Sequence, residues 1–315
     1  MLDILSITGV IFVLIGVGYL SVRLGVFSQE EMKPLGKFVV MIALPALVFR
    51  AVASRPVGEI ANAGYLIAYL AGSLAVFALG YFWSRRLSGE AAVASTFRAM
   101  GMTCSNSGFV GYPVLLMALP EIAPTALAMN MIVENLIMIP LVLVLAERSA
   151  GTPPKGGRLA TEFAWRIMRN PIVVALALGI TVSVSGIPVP WLIAEPVNVL
   201  ASASAALSLV VIGGTLATLP LASLDGSVIP VVAGKLLLHP LAVGACLAVL
   251  SVAGLGTGDE ALTAAAVLMA AMPAMGIYPL LAQRFGEERS ASLAMFTMTV
   301  LSFFTISLAM AVMLP

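Results

Sequence analysis

Ten apolar stretches follow one another along this 315-residue chain, at 3–23, 35–54, 61–84, 91–118, 123–146, 167–186, 194–218, 227–252, 259–283 and 290–313. Each is close to the roughly 20 residues that carry a helix across a bilayer. Lipid offers the backbone no hydrogen-bond partner, so each stretch must satisfy its amides and carbonyls internally. The expected fold class is therefore all-α, a membrane protein of ten transmembrane helices. Only 10% of the residues are charged, against roughly 25% in soluble domains. The net charge of +1 gives no reason to expect nucleic acid as a partner. Cys104 and Cys246 both lie in apolar stretches, which argues against a disulfide framework. Met1 to Leu24 lacks the basic start of a signal peptide, so it reads as the first membrane helix.

Two of the stretches share a signature. Tyr112-Pro113-Val114-Leu115 in the fourth matches Tyr278-Pro279-Leu280-Leu281 in the ninth, and Leu127-Ala128-Met129 matches Leu293-Ala294-Met295. Both pairs stand 166 residues apart (278 − 112 and 293 − 127). Around the first Tyr-Pro the chain reads Asn106-Ser107-Gly108-Phe109-Val110-Gly111, and around the second Pro273-Ala274-Met275-Gly276-Ile277. Proline lacks an amide hydrogen and clashes with the preceding turn, while glycine permits non-helical backbone. Both helices are expected to break here, where freed polar groups must face protein or a water-filled cavity. Paired breaks at matching places in two halves mark the binding site of a transporter. Half-helices starting at such breaks present amide ends, which suit an anion. Asn106, Ser107, Gly108, Gly111, Tyr112, Pro113, Pro273, Gly276, Tyr278 and Pro279 are the candidate substrate-binding residues. The alternative is that the prolines merely kink two helices.

Five helices per half is an odd number, so the halves 1–147 and 167–315 should form an inverted repeat, with residues 148–166 as a polar linker. Inverted halves permit alternating access. Arg23, Lys33, Lys37, Arg85, Arg86, Arg98, Arg148, Lys155, Arg158, Arg166, Arg169, Arg284 and Arg289 gather on one side, Arg50 and Arg55 on the other. The basic side is cytoplasmic, which places both termini outside the cytoplasmic membrane. Arg50 is expected to anchor at the outer interface.

Ionisable groups in the membrane are costly and usually have a partner or a task. Glu134, flanked by Asn130 and Asn135, is a candidate for a coupling proton or cation; a structural hydrogen-bonded role is the alternative. The 166-residue offset puts Val300 at its counterpart position. Lys235 either neutralises an anion, pairs with Glu134 or extends its ammonium to the cytoplasmic interface. His239, the single histidine, could titrate or serve structurally. Thr8, Ser208, Thr215, Thr297 and Thr299 read as helix-packing residues.

Ala43-Leu44-Pro45-Ala46-Leu47-Val48-Phe49, Asn106 through Pro113, Lys235-Leu-Leu-Leu-His239-Pro240 and Met272-Pro273-Ala274 resemble the motifs of the auxin efflux carrier family. That family includes bacterial malate or malonate carriers and is related in fold to the bile-acid sodium symporters. The resemblance implies a scaffold of helices 1, 2, 6 and 7. It also implies a transport domain of helices 3, 4, 5, 8, 9 and 10, with helices 4 and 9 crossing where an organic anion binds. Asn106 and Pro113 match family positions in helix 4, and Pro279 matches the proline of helix 9. Plant members carry an asparagine in the helix 9 break, whereas Pro273, Ala274, Met275 and Gly276 stand here.

The expected function is secondary transport of a small mono- or dicarboxylate such as malate or malonate. Coupling to a proton, to Na⁺ or to neither stays open, no other cofactor is expected, and membrane lipid and a homodimer are the expected partners. The alternatives are an anion channel and an intramembrane hydrolase. The single histidine cannot build a His-Glu-x-x-His site, and the chain has no phosphate-binding P-loop.

Overall fold

The computed structural model describes residues 2–56, 62–151, 168–217 and 226–314. Lys155, Arg158, Arg166 and most of the expected linker lie outside them. Fifteen α-helices are present among the described residues. In chain order they are α1 (Leu2–Arg23), α2 (Gln29–Phe38), α3 (Leu44–Ala53), α4 (Ala63–Arg86), α5 (Ala92–Thr103), α6 (Tyr112–Ala118), α7 (Ala123–Ile132) and α8 (Ile139–Ser149). They continue as α9 (Pro171–Ser185), α10 (Trp191–Leu216), α11 (Ile229–Ala233), α12 (His239–Val252), α13 (Glu260–Ala271), α14 (Tyr278–Gln283) and α15 (Glu288–Met313). Among the described residues seven continuous helical stretches are long and apolar enough to span a membrane, and Ser107–Ala118, Pro171–Ser185 and Glu260–Ala271 are shorter apolar helices. Among the described residues the regular structure is all helical, and the chain is an integral membrane protein.

Among the described residues four wide π-turns lead into helices: those at Val39–Ala43, Val133–Met138 and Gly234–Leu238 lie within continuous helical stretches, and that at Ser107–Gly111 opens one. Each is followed by a helix with proline in its first turn: Pro45, Pro113, Pro140 and Pro240. The cause is steric. A proline ring collides with the carbonyl four residues back and supplies no amide, and one turn of i→i+5 geometry absorbs both defects without ending the helix. Where the sequence alone predicts unwound backbone at Gly108 and Gly111, the structure has a π-turn. Extended backbone falls upstream of the glycines instead, beginning at Cys104, which ends α5 with φ −79° and ψ 111°.

The expected second helix starts earlier than its apolar run. Ser28 caps α2 through the Glu31 amide, and the Glu31 carboxylate accepts from the Ser28 amide. This reciprocal pair secures the first turn and extends the helix into polar sequence that a hydropathy reading omits.

The chain divides into two compact units. Unit 1 comprises Met1–Asn62, Ser107–Ile132 and Arg166–Thr218; unit 2 comprises Ala63–Asn106, Val133–Trp165 and Leu219–Pro315. In unit 1, α1 packs along α10. A side chain at Gly18 would strike the Val210 carbonyl, and one at Gly213 the Ile15 carbonyl, so these glycines set how closely the two backbones approach. Gly179 of α9 does the same against Val52 of α3. In unit 2, α4 packs between α5 and α12. A Cβ on Gly72 would lie 2.8 Å from Val243, and one on Gly80 would meet the sulfur of Met102. Small residues on one helix face thus decide which helices become neighbours. Thr215, Thr297 and Thr299 donate to carbonyls four residues back in their own helices.

Candidate functional site

In unit 2, α5 stops at Thr103 and α13 stops at Ala271. The segments beyond these two ends run antiparallel, with Ser105 bridged to Ala274. The Asn106 amide donates to the Pro273 carbonyl at 2.8 Å, and the Met275 amide donates to the Cys104 carbonyl at 3.1 Å. The two segments therefore satisfy each other's backbone over a few extended residues. Asn106 is 6% exposed. Gly276 is open, with no atom within 4 Å of where its Cβ would stand.

A buried polar cluster lies against this crossing. Lys235, on the π-turn before α12, donates to Ser105 Oγ at 2.7 Å and to the Ala270 carbonyl at 2.7 Å, and its Nζ stands 2.8 Å from His239 Nδ1. An ammonium has three N–H groups and no acceptor, so all three are used. With Lys235 charged, His239 accepts at Nδ1 and is neutral. Its Nε2–H is then the donor to Ser73 Oγ at 2.9 Å. The ring also meets Tyr69 edge-on, centroids 5.6 Å apart.

Ser105 links this cation to a carboxylate. Its amide donates to Glu134 Oε1 at 2.9 Å, and its hydroxyl lies 3.0 Å from the Tyr69 hydroxyl, which donates to the same Glu134 oxygen at 3.4 Å. Glu134 stands on the π-turn after α7. Lys235 and His239 are wholly buried and Glu134 is 2% exposed. A buried cation and a buried anion thus share the serine that forms the crossing. Such a cluster persists only when its charges are paired and hydrogen-bonded.

The predicted residues divide between the units. Asn106, Pro273, Gly276, Tyr278, Pro279, Glu134, Asn135, Lys235 and His239 belong to unit 2. Ser107, Gly108, Gly111, Tyr112, Pro113 and Asn130 belong to unit 1. There the Asn130 amide donates to Ser107 Oγ at 3.0 Å, and Gly108 has room for a Cβ only at 3.0–3.3 Å from Leu44 and Met131. Tyr112 is buried, with Arg50 beside its hydroxyl. Lys235 does not extend towards an interface, because its ammonium is bound on all sides.

Residues 8–310 match the family described as "Membrane transport protein". The chain belongs to that family. The auxin efflux carrier resemblance read from the motifs is this relationship. A protein of Rhizobium meliloti (strain 1021) named "Putative malonate transporter" is 30% identical over 311 residues, 96% of this chain and 94% of its own. "Uncharacterized transporter YfdV" of Escherichia coli (strain K12) is 28% identical over 218 residues, covering 66% and 67%. An "Uncharacterized transporter" of Methanothermobacter thermautotrophicus is 29% identical over 110 residues, about a third of each chain. The chain is a membrane transporter and not an enzyme.

Sequence reasoning missed three members of the cluster: Tyr69, Ser73 and Ser105. A signal for two of them was present. The offset of 166 that joins the Tyr-Pro pairs also joins Tyr69 to Lys235 and Ser73 to His239 (235 − 69 and 239 − 73); all four residues lie in the cluster, and Ser73 bonds His239 directly. Ser105 has no such marker, because its counterpart across the bridge, Ala274, stands 169 residues away (274 − 105). The three-residue difference falls in the stretch before Tyr112 that holds the π-turn.

Proposed function

We propose that this transporter is a secondary carrier of a small organic anion, a mono- or dicarboxylate such as malonate or malate, working by alternating access in the cytoplasmic membrane. The observation that carries the reading is the backbone pairing of Cys104–Asn106 with Pro273–Met275 over a buried lysine. Lys235, bonded to Ser105, brings an ammonium one residue from Asn106, and a side-chain amide is a donor that suits a carboxylate. α14 has only six residues and aligns few peptide dipoles, so the lysine and the asparagine give the site its preference for anions, more than the dipole of that half-helix does. The full-length likeness to a protein named as a malonate transporter supports the substrate class.

The proposal includes ten membrane helices in two inverted five-helix repeats, helices 4 and 9 broken and crossing. It also includes the division into scaffold helices 1, 2, 6 and 7 and transport helices 3, 4, 5, 8, 9 and 10, with both termini outside. π-turns suit such a device, since they are places where a helix changes register at low cost. The series Lys235, Ser105, Tyr69, Glu134 is a continuous path of hydrogen bonds along which a coupling proton can be exchanged. In this reading the proton resides on Glu134 and its charge is felt at Asn106 through Ser105.

Counter-flow in proteoliposomes tests the reading. With vesicles preloaded with unlabelled malonate, labelled malonate should accumulate transiently and saturably above equilibrium, and malate should compete. Uptake that never overshoots and does not saturate would identify a channel instead. A panel of dicarboxylates, monocarboxylates and aromatic acids, run at varied pH and Na⁺, sets substrate and coupling.

A further inference from the structure

On the face of unit 2 formed by α12, α13 and α15 lies an open groove of about 730 Å³. Its walls are apolar, with Leu241, Gly244 and Ala248 on α12, Val267 and Ala271 on the short α13, and Leu308 on α15. Leu241 and Leu308 are 69% and 62% exposed. The lining runs from Leu237, in the π-turn before α12, to Ser251 near the end of α12, which at 1.5 Å per residue is about 21 Å. One leaflet of hydrocarbon is about 15 Å deep, half of the full core, so a whole acyl tail fits lengthwise.

The groove's charged lining residues are two adjacent carboxylates, Asp259 and Glu260. Thr257 and Thr263 line it as well. Asp259 uses Oδ1 to cap α13, accepting from the Ala261 and Leu262 amides. Among the described residues no cation pairs with Asp259 or Glu260. The sequence places no lysine or arginine between Leu236 and Gln283, nor from Ser290 to the final residue. A tail in this groove therefore brings its headgroup to two unpaired carboxylates with no basic residue from either flanking segment. An anionic headgroup is repelled there and an outward ammonium is attracted.

We propose that the groove is a binding site for one phospholipid with a primary-ammonium headgroup, its tail along α12 and its ammonium at Asp259 and Glu260. The inner end of the site adjoins the polar cluster through the chain itself. Leu236, Pro240 and Ala271 line the groove and directly follow Lys235, His239 and Ala270. The lipid tail replaces the helix neighbour that α13, only 12 residues long, lacks on this side.

The test uses the full-length protein in nanodiscs of equal phosphatidylethanolamine and phosphatidylglycerol, followed by native mass spectrometry after detergent washing. Two exposed ion pairs give an expected retention of phosphatidylethanolamine about 2- to 30-fold over phosphatidylglycerol. Gly244→Leu fills the groove, since a Cβ there meets only Val267, at 3.7 Å, and should abolish retention with an unchanged elution profile. Ala248→Leu makes the same test should Gly244→Leu fold poorly. Asp259→Asn with Glu260→Gln should keep a bound lipid and lose the headgroup preference. Lipid retained in proportion to the nanodisc mixture, equal retention in a filled variant, or a second copy of the chain cross-linking through position 244 would each overturn the proposal.

Discussion

Lys235→Met removes the ammonium while keeping an unbranched side chain of similar reach. Three hydrogen-bonding partners then lose their donor: Ser105 Oγ, the Ala270 carbonyl and His239 Nδ1. Ser105 and His239 each keep another partner, Tyr69 and Ser73. The larger loss is electrostatic, since Glu134 is left as a buried carboxylate without its balancing cation. Removing one member of a buried charge pair costs about 3–5 kcal/mol. At about 2–4 °C per kcal/mol for a unit of this size, Tm should fall by roughly 6–20 °C. Glu134→Gln with Lys235→Met removes both charges and leaves a neutral cluster, so the double variant should recover at least about 1 kcal/mol relative to the sum of the single variants. Fluorescence-detected thermal unfolding of the purified protein, in one detergent, measures all four forms. A Lys235→Met protein melting within about 2 °C of wild type, or a double variant whose loss is the plain sum, would refute the electrostatic reading of this cluster.

Single contacts give further expectations. Gly101→Val should destabilise by about 1–3 kcal/mol, because even a Cβ would lie 2.8 Å from the Tyr278 hydroxyl and 2.9 Å from Val231; unchanged unfolding would contradict the packing of α5 on α14. Glu287 borders the Arg98–Glu90 ion pair (2.6 Å), and burial first, then the Glu90 charge, raises its carboxyl above the ordinary 4.5. A raised carboxyl favours the folded state at low pH and loses that contribution as pH rises through the folded-state value. Glu287→Gln should therefore match wild type below pH 4.5 and melt higher than wild type near neutrality, as a pH series of melting curves will record; a difference that grows on acidification would reverse the assignment. Glu134→Gln should leave counter-flow uptake independent of an imposed pH gradient, and retained dependence would place the coupling proton elsewhere.

Much of the helical order was readable from length and hydropathy alone, because a span in lipid has few alternatives. The proline-linked π-turns were encoded too. Leu44-Pro45, Tyr112-Pro113, Ile139-Pro140 and His239-Pro240 each mark a place where the helix must widen, although a sequence reading takes the same prolines as kinks or breaks. The side of a helix interruption that a residue serves could not be read. Asn130 and Glu134 are one helical turn apart in sequence and look like a single polar group, yet Asn130 bonds Ser107 in unit 1 while Glu134 bonds Ser105 in unit 2. The wide turn beginning at Val133 rotates the later residues relative to the preceding turns, and periodicity computed for a regular α-helix misses that rotation. The fate of Lys235 was equally hidden. Extending towards water or lying buried depends on whether acceptors converge on Nζ, and two of its three partners come from segments 35 and 130 residues away.

The central claim is that the crossing of Cys104–Asn106 with Pro273–Met275 is where a carboxylate is held. Calorimetric titration of malonate into the purified protein, wild type against Asn106→Ala, addresses it directly. Loss of one charge-assisted hydrogen bond, about 1.5–3 kcal/mol, should weaken malonate binding by roughly 10- to 150-fold. Equal affinity in the two proteins would contradict the account.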